Sequence, residues 1–273
     1  MSVVEHIAFM GGGNMASAII SGLLQSGFHK DRLDVVEPFD EARTRLQTQF
    51  GIDAQPAAGA FLERASIVIW AVKPQTFKEA ASPVQAFTRN ALHISVAAGI
   101  RSDSIARWLG VARVIRSMPN TPALIGKGIT AMVASPAVTE SDRQHAERIV
   151  GTTGEFMWLE REEQLDAVTA LSGSGPAYMF YFMEAMAAAG ADMGLPREQA
   201  YRLAVATFIG AGELARASDE PPEVLRQRVT SKGGTTYAAI TSMDASGVKA
   251  RFTEALFAAQ KRAAELGDEF GKD

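Results

Sequence analysis

The chain has 273 residues, of which 47% are apolar and 21% charged, with a formal net charge of −4 and no cysteine. This length permits one large domain or two modest ones in a globular protein of ordinary composition. The negative charge argues against a nucleic-acid partner, because such an interface needs a surplus of Lys and Arg. The lack of cysteine excludes disulfides, zinc–thiolate sites and thiol nucleophiles, and we predict no metal site.

Two segments bear on the compartment. Residues 1–6, MSVVEH, lack the basic start of a secretory signal. The longest apolar run, residues 177–195, carries Glu184 and Asp192, so it predicts a buried helix rather than a membrane span. We therefore expect a cytoplasmic protein without a membrane partner.

Up to about residue 160, β-rich runs alternate with segments of helical spacing. Strands are predicted at residues 6–10, 33–37, 66–72, 91–98, 113–118, 128–134 and 154–160. Segments 14–27 and 39–51 have helical spacing and end in Gly. Strands separated by helices indicate βαβ units, so residues 1–161 are predicted to form an α/β domain with a Rossmann-type, mainly parallel sheet.

After residue 160 the strand pattern stops and the sequence becomes Ala-rich and helical. Helices are predicted at residues 176–194, 196–217, 221–229, 235–247 and 248–267. Pro176, Pro196, Pro221 and Pro222 lie at predicted helix starts, where a missing N–H costs little. Residues 162–273 are thus predicted to form an all-helical C-terminal domain.

The glycines between the first predicted strand and the first helix have the spacing Gly11-x-Gly13-x-x-Ala16. The first glycine permits a tight turn, the second lets a diphosphate approach, and the small third residue lets helix and strand pack closely. Free N–H groups and the helix dipole favour phosphate charge. The pattern predicts a dinucleotide site; the alternatives are a structural turn, a mononucleotide site or a vestigial one.

Glu37 ends the second predicted strand, where dinucleotide-binding domains carry a ribose-binding acid. In that role it would accept a hydrogen bond from the ribose and repel a 2′-phosphate, which favours NAD over NADP. Alternatively it is a solvated carboxylate near Arg43 and Arg45, and those arginines could instead meet a 2′-phosphate. The sequence leaves NAD and NADP open.

Two proline-containing loops follow later strands of the first domain. Ala71–Pro74 ends the most apolar strand, and Pro74 is predicted to prevent direct continuation into a helix. Ser117–Pro122 places two prolines around a polar pair. Ligands of open α/β sheets bind beyond the carboxyl ends of the strands, so both loops are candidates to line the nicotinamide end. The alternative for each is a purely structural proline turn.

The helical half contains two glycine-rich turns. Residues 171–178, LSGSGPAY, read as a Gly/Ser turn that runs into a helix, and Gly233-Gly234 precede Thr235 and Thr236 at another helix start. Bare N–H groups at a helix N-terminus bind an anion without net positive charge, so the second turn suits a small carboxylate. A threonine hydroxyl there can donate to a neighbouring heteroatom. The alternative is simple N-capping by Thr or Ser.

The distribution of acid–base residues narrows the chemistry. All four histidines precede residue 161, which disfavours a 2-hydroxy-acid dehydrogenase with a histidine on its substrate domain. The β-hydroxyacid dehydrogenases carry Lys and Asn after a similar glycine turn, and here the corresponding residues are Met179 and Met183. A C=N bond makes a lighter demand than a ketone, because an iminium is already electrophilic and its nitrogen can take a proton from solvent.

Six segments together resemble the pyrroline-5-carboxylate reductase family over essentially the whole chain. They are GGGNMA (11–16), AVKPQ (71–75), SVAAGI (95–100), RSMPNTPALIGKG (116–128), LSGSGPAY (171–178) and SKGGTT (231–236). The resemblance implies hydride transfer from NADPH or NADH to the C=N bond of 1-pyrroline-5-carboxylate, which gives L-proline in the last step of proline biosynthesis. It also implies that the helical domain is a dimerisation domain, in a homodimer or a higher assembly of dimers.

The resemblance also implies roles for individual residues. Thr236 would be the catalytic residue, in contact with the imine nitrogen. Substrate-binding residues would be Ser174, Ser231, Gly233, Gly234, Thr235 and Thr236. Cofactor-binding residues would be Gly11, Gly12, Gly13, Asn14, Met15, Ala16, Glu37, Ala71, Val72, Lys73, Pro74, Ala97, Ala98, Gly99, Met118, Pro119 and Asn120.

The chain departs from the family pattern in two places. Lys232 stands where the family usually has Pro, so that turn is looser or the lysine adds attraction for a carboxylate. Many members lack an acid at the position of Glu37, so the family's cofactor preference does not transfer. Two other functions stay open, namely another imine or keto-acid reductase of the same scaffold and a non-catalytic NAD(P)-binding protein.

Overall fold

A computed structural model describes residues 5–271. Residues 1–4, which belong to the N-terminal segment considered above as a secretory signal, lie outside that range, as do residues 272–273. Within residues 5–271 there are seven strands. They are β1 (Ile7–Met10), β2 (Leu33–Val36), β3 (Ile67–Trp70), β4 (Leu92–Ser95), β5 (Val114–Met118), β6 (Gly128–Ala134) and β7 (Gly154–Trp158). Each lies inside one of the seven predicted β-rich runs.

The seven strands form one sheet in the order β2-β1-β3-β4-β5-β6-β7. All neighbours are parallel except β5 and β6, which are antiparallel. The predicted Rossmann-type, mainly parallel sheet is therefore confirmed. Strand β1 lies between β2 and β3, so the strand order reverses at β1. Such a switch point is where open α/β sheets bind their ligands.

Helices connect the parallel strands and cover the sheet. They are α1 (Asn14–Gln25), α2 (Asp40–Phe50), α3 (Pro74–Val84), α4 (Ser102–Leu109), α5 (Glu140–Gly151) and α6 (Gln164–Val168). Two buried apolar clusters flank the sheet. One includes Phe9, Ile20 and Leu46, and the other includes Trp70 and Phe77. Strands β1, β3 and β4 are buried on both faces, as expected for a parallel sheet covered by helices, whereas the edge strand β7 is largely exposed.

The expectation that Pro74 prevents direct continuation into a helix is wrong. Helix α3 begins at Pro74, with Lys73 as its N-cap residue. The first helical residue has no intrahelical acceptor for its N–H, and the fixed φ of proline suits the helix. Ala71–Lys73 are therefore the whole connection between β3 and α3.

The second half is helical, as predicted. Its helices are α7 (Gly175–Asp192), α8 (Arg197–Arg216), α9 (Pro222–Arg228), α10 (Thr235–Ala245) and α11 (Val248–Phe270). The prediction that the prolines lie at helix starts is confirmed. Pro176 lies in the first turn of α7, Pro196 is the N-cap of α8, and α9 begins with Pro221 as its N-cap and Pro222 as its first residue.

The described chain divides into two compact units. The sheet unit holds the residues up to Gly173 together with those from Ala259 onward, and the helical unit holds Ser174–Ala258. The sheet unit thus includes α6 and the C-terminal end of α11, which the sequence assigns to the helical domain beginning at residue 162. That domain boundary remains a prediction.

The expectation that residues 177–195 form a buried helix is wrong for the single chain. On α7 only Ala187 and Gly190 are buried, whereas Phe180 is 64% and Tyr181 70% exposed. The apolar residues of the helical unit therefore do not form a monomer's core. Over the described residues, no helix is both long and apolar enough to cross a membrane.

Candidate cofactor and substrate sites

The glycine turn joins β1 to α1 at the switch point of the sheet. Gly11 has φ +95°, and a Cβ there would lie 2.7 Å from the carbonyl oxygen of Ala71 and 3.2 Å from Val72. Its N–H donates to the carbonyl of Val36 on β2. Glycine is thus required at residue 11 both for the backbone conformation and for the close approach of the loop after β3.

Gly12 is held by the acid that ends the second β-rich run. Its N–H donates to Oε2 of Glu37 at 2.7 Å, and Oε1 of Glu37 accepts from the N–H of Phe39 at 3.0 Å. Glu37 is only 6% exposed, so the alternative of a solvated carboxylate is wrong. A Cβ on Gly12 would lie 2.6 Å from Leu46. The sequence analysis missed Leu46, because only the tertiary fold brings it to the turn.

The two arginines near Glu37 contact backbone carbonyl groups. Arg43 donates to the carbonyls of Glu37 and Pro38 at 2.9 and 2.8 Å. Arg45 donates to the carbonyl of Gly12 at 3.0 Å. Arg45 therefore helps to fix the glycine turn that Glu37 anchors, and sequence reasoning did not assign it to the turn. Arg43 instead fixes the segment that follows β2.

Gly13 and Ala16 match the space that a dinucleotide diphosphate needs. A Cβ on Gly13 would meet no described atom within 4 Å, so the face over this residue is open. Ala16 is fully buried in the sheet's apolar cluster. Within the described chain α1 has neither a side-chain N-cap nor an acid in its first turn. Its first N–H groups lack intrahelical acceptors and suit an anion, so a diphosphate fits here.

The other predicted cofactor loops follow the next strands in the sheet. Ala71–Pro74 lie beyond β3, against Gly11, and Ala97–Gly99 lie beyond β4, with the N–H of Ala97 donating to the hydroxyl of Ser95. Because β1, β3 and β4 are successive parallel strands of the sheet, the structure brings both loops to the same edge of the sheet as the glycine turn.

Met118, Pro119 and Asn120 follow the same pattern at the end of β5. Asn120 caps a short 3-10 helix, Thr121–Ile125, and its Oδ1 accepts from the N–H of Ile129 at 3.0 Å. The side-chain carbonyl is therefore committed to β6, and the amide N–H₂ is the part of Asn120 that remains to bind a ligand. The side chain of Met118 packs closely against Gly173, because a Cβ on Gly173 would lie 2.4 Å from Cε of Met118.

The predicted substrate residues belong to the helical unit. Gly234 is the N-cap of α10, so Thr235 and Thr236 are its first two helical residues, and no side chain of the described chain caps this helix. The alternative of simple N-capping by Thr is therefore wrong. Gly233 has φ +79° and Gly234 donates its N–H to the carbonyl of Ser231 at 3.0 Å. The N–H groups free for an anion are those of the first turn that follows Gly234.

Ser174 lies at a helix start, but the expected Gly/Ser turn before it is wrong. Thr169–Gly173 form a π-helical turn that continues α6, and Ser174 is the N-cap residue of α7 without a capping hydrogen bond from its side chain to any described residue. Isolated π-helical turns are frequent at functional sites. Only the two glycines and the proline suggested irregular backbone here.

Of the four histidines, His93 is fully buried within β4. Its Nδ1 accepts from the indole N–H of Trp70 at 3.0 Å, and its Nε2 lies 3.0 Å from the carbonyl of Thr88. Burial is the main cause that lowers the pKa of His93 from 6.5 to about 4, although the Thr88 carbonyl opposes the shift. His93 is therefore a neutral structural residue.

A glycine turn without a side-chain cap at the switch point of a mainly parallel sheet defines a dinucleotide-binding protein. Residues 6–99 match a family model described as NADP oxidoreductase, coenzyme F420-dependent. Residues 162–266 match the model for pyrroline-5-carboxylate reductase dimerisation.

Individual relatives cover nearly the whole chain. The pyrroline-5-carboxylate reductase of Pseudomonas aeruginosa is 42% identical over 271 residues, 98% of each chain. That of Escherichia coli is 36% identical over 265 residues, 96% of this chain and 98% of the relative. The chain belongs to the pyrroline-5-carboxylate reductase family. The predicted function, the enzyme class and the use of NADP(H) or NAD(H) are thereby confirmed.

Solved structures agree with this assignment. The pyrroline-5-carboxylate reductase of Coxiella burnetii superposes with a TM-score of 0.89 at 35% identity, over 96% of this chain and 98% of that chain. A Plasmodium falciparum pyrroline carboxylate reductase with NADP bound gives 0.87 at 26% identity, over 96% and 98%. The dimerisation model supports oligomerisation of this chain through residues 162–266.

Proposed function

We propose that two uncapped helix N-termini perform the two binding tasks of this reductase. The first turn of α1 holds the cofactor diphosphate, and the first turn of α10 holds the carboxylate of 1-pyrroline-5-carboxylate. The observation that carries the proposal is the absence, among the described residues, of side-chain caps and first-turn acids on both helices. Helices α3 and α7 also lack side-chain caps and first-turn acids, but among the described α-helices with an assigned N-cap residue only α1 and α10 have glycine there. Helix α5, in contrast, is closed by a capping box of Thr139 and Asp142. A capped helix start has already used the groups that an anion would need.

The cofactor site is proposed to consist of the residues at the carboxyl ends of β1 to β5 in the sheet unit. Its residues are Gly11, Gly12, Gly13, Asn14, Met15, Ala16, Glu37, Ala71, Val72, Lys73, Pro74, Ala97, Ala98, Gly99, Met118, Pro119 and Asn120. The bound cofactor supplies a hydride for the imine carbon. Glu37 lies within this group with each carboxylate oxygen on a backbone N–H, and its unused lone pairs point to a ribose hydroxyl as the further partner.

The substrate site is proposed to consist of Ser174, Ser231, Gly233, Gly234, Thr235 and Thr236. Thr236 is the catalytic residue, because its hydroxyl donates to the ring nitrogen as the C=N bond becomes an amine. The backbone of Gly233 and Gly234 sets the start of α10, and the N–H groups of the first turn hold the carboxylate. Binding both reactants in one orientation supplies most of the rate, since an iminium needs no strong acid.

Assembly and location complete the proposal. The exposed apolar side chains of α7 and α8 include Phe180, Tyr201, Leu203, Ile209 and Leu214. We assign them to contacts with a second copy, in a homodimer or a higher assembly of dimers. The protein is proposed to act in the cytoplasm, without a nucleic-acid or membrane partner.

The decisive assay follows oxidation of NADPH and of NADH with 1-pyrroline-5-carboxylate, alongside formation of proline. We expect stoichiometric proline formation that depends on a reduced cofactor. Turnover of a different imine or a keto acid in preference to this substrate would identify another reductase of the same scaffold. Cofactor binding without turnover of any of these compounds would identify a non-catalytic NAD(P)-binding protein.

A further inference from the structure

The C-terminal end of α11 packs directly on the loop after β4. Gly99 has φ +73°, and a Cβ on it would lie 3.1 Å from Cβ of Leu266 and 3.4 Å from Phe270. Phe270 also packs against the buried cluster that includes Ala97 and Ile100. Both Ala97 and Gly99 are themselves buried. The loop therefore has its backbone in van der Waals contact with a helix end that belongs to the same compact unit.

Polar contacts join the same two segments. Arg101 donates to Oδ1 of Asp268 at 2.6 Å, and a Cβ on the buried Gly267 would lie 3.2 Å from Nε of Arg101. Further along the chain, on α4, Arg107 donates to the carbonyl of Gly271 at 3.2 Å. The helix end is thus attached at both the loop and the helix that follows it.

The other side of the loop is fixed by a partly buried ion pair between Arg116 and Glu162. The N–H of Ser102 donates to Oε1 of Glu162 at 2.7 Å, and the same oxygen accepts from Arg116 at 3.0 Å. Arg116 is buried in β5, two residues before Met118. Burial raises the pKa of Asp166, against the opposing charges of Arg116 and Arg101. The loop after β4 is therefore held between β5 and the end of α11.

We propose that the end of α11, residues 266–271, is a positioning element for the nicotinamide cofactor. It acts through the backbone of Ala97–Gly99, and so rests on the cofactor role proposed above for that loop. Leu266 and Phe270 hold the backbone of this loop in the position that cofactor binding requires. Asp268 fixes Arg101, which follows the loop. None of these three side chains is assigned to the cofactor or substrate site, so their effect on the cofactor is indirect.

The test compares three variants of the full-length enzyme, Leu266→Ala, Phe270→Ala and Asp268→Asn, with wild type. We expect KM and the directly titrated Kd for NADPH and NADH to rise about 5- to 50-fold for the apolar variants, because a small displacement of a binding loop is costly. For Asp268→Asn we expect about a twofold to fivefold rise, since exposed ion pairs contribute little. The KM for pyrroline-5-carboxylate should stay unchanged, and Phe270→Leu should restore most of the affinity.

Lys261→Ala is the matched control. Lys261 lies on the same helix, exposed, and pairs with Glu265, which precedes residues 266–271, so it should leave both KM values at wild-type levels. A merely structural role would lower the active fraction and the Tm but not the affinity for the cofactor, and that result would overturn the inference. Equal cofactor binding by wild type and by soluble Asp268→Asn and Leu266→Ala would also overturn it. Failure of the wild type itself to bind either cofactor would instead contradict the proposed function.

Discussion

The carboxylate of Glu37 and the backbone N–H of Gly12 are joined by a 2.7 Å hydrogen bond across 25 residues of sequence. The acid at the end of β2 therefore sets the shape of the glycine turn before any ligand binds. Removing the carboxylate has two consequences, since it frees space and charge for a 2′-phosphate and leaves a buried N–H unpaired. An unpaired buried donor costs about 1–3 kcal/mol.

Replacing Glu37 by Ser should shift the cofactor preference toward NADPH. We expect kcat/KM for NADH to fall about 10- to 100-fold, on the scale of losing a hydrogen bond to a charged group. The kcat/KM for NADPH should fall less. Loss of the carboxylate weakens the glycine turn for both cofactors, but it also removes the repulsion of the 2′-phosphate of NADPH. Steady-state kinetics with both cofactors measures the ratio. Glu41→Ser, at an exposed residue of α2, is the control, and an unchanged ratio in Glu37→Ser would remove Glu37 from the ribose site.

The two outer glycines of the turn should respond differently to alanine. Gly13 has φ −72° and open space over its Cα, so Gly13→Ala should lower the free energy of unfolding by only about 0.5–1 kcal/mol, the cost of replacing a glycine N-cap by alanine. Its new methyl group should nevertheless weaken cofactor binding at least about tenfold, because it occupies the path of the diphosphate. Denaturant unfolding and cofactor titration measure the two effects separately.

Gly11→Ala is the matched comparison. Its Cβ would lie 2.7 Å from a backbone oxygen at φ +95°, so we expect this variant to lose about 2 kcal/mol or more of folding stability. The assignment of Gly13 to the diphosphate would be wrong if Gly13→Ala bound the cofactor with wild-type affinity.

The strands and the glycine turn could be predicted because they depend on local patterns. Buried parallel strands are short apolar runs between turns, and Gly11 and Gly13 stand in a spacing that a backbone–diphosphate contact dictates. Pro74 was misjudged for a similar local reason. Proline is restrictive for the residue before it, but it is also a favoured first residue of a helix, and the sequence alone does not choose between these effects.

The supporting contacts of the site were not predictable in this way. Leu46 and Arg45 meet the glycine turn from α2, and Leu266 meets Gly99 from the far end of the chain. Such contacts depend on how elements pack, which periodicity does not encode. The exposed apolar face of α7 was misread as a core for a related reason, because hydrophobicity does not tell whether the partner surface belongs to the same chain or to another.

Thr236→Ala should reduce turnover while leaving the cofactor site intact. We expect kcat to fall about 10- to 1000-fold, on the scale of losing one preorganised donor. The Kd for NADPH should not change, and Thr236→Ser, which keeps a hydroxyl, should retain most of the activity. Thr241→Ala, at an exposed residue of the same helix, is the control. Wild-type turnover by Thr236→Ala would show that another group meets the imine nitrogen.

His93 should make the folded protein sensitive to mild acid. Its pKa is lowered from 6.5 to about 4 in the native state, so below pH 6.5 the unfolded chain binds the proton more readily. Stability is therefore fully present above pH 6.5 and decreases as the pH falls toward 4, by about 3 kcal/mol in total from this residue.

His93→Gln keeps an acceptor for Trp70 and a donor for Thr88 but does not titrate. The difference in unfolding free energy between wild type and this variant should shrink by about 2 kcal/mol from pH 7 to pH 5. Urea titrations at both pH values measure it, with the exposed His29→Gln as the control. A difference that stays constant with pH would contradict a neutral, buried His93.

Charged residues on the apolar face of the helical unit should dissociate the assembly. Phe180 and Ile209 are 64% and 61% exposed in the single chain, and the region that carries them matches the family's dimerisation model. Burying an unpaired carboxylate in an interface costs several kcal/mol, so Phe180→Glu with Ile209→Glu should convert the oligomer to monomers. Light scattering after size exclusion measures the mass, and Glu41→Lys on the sheet unit is the control. Because the helices of this unit bury so few of their own apolar side chains, the monomers should also show a lower Tm, whereas an unchanged mass would place these two residues outside the interface.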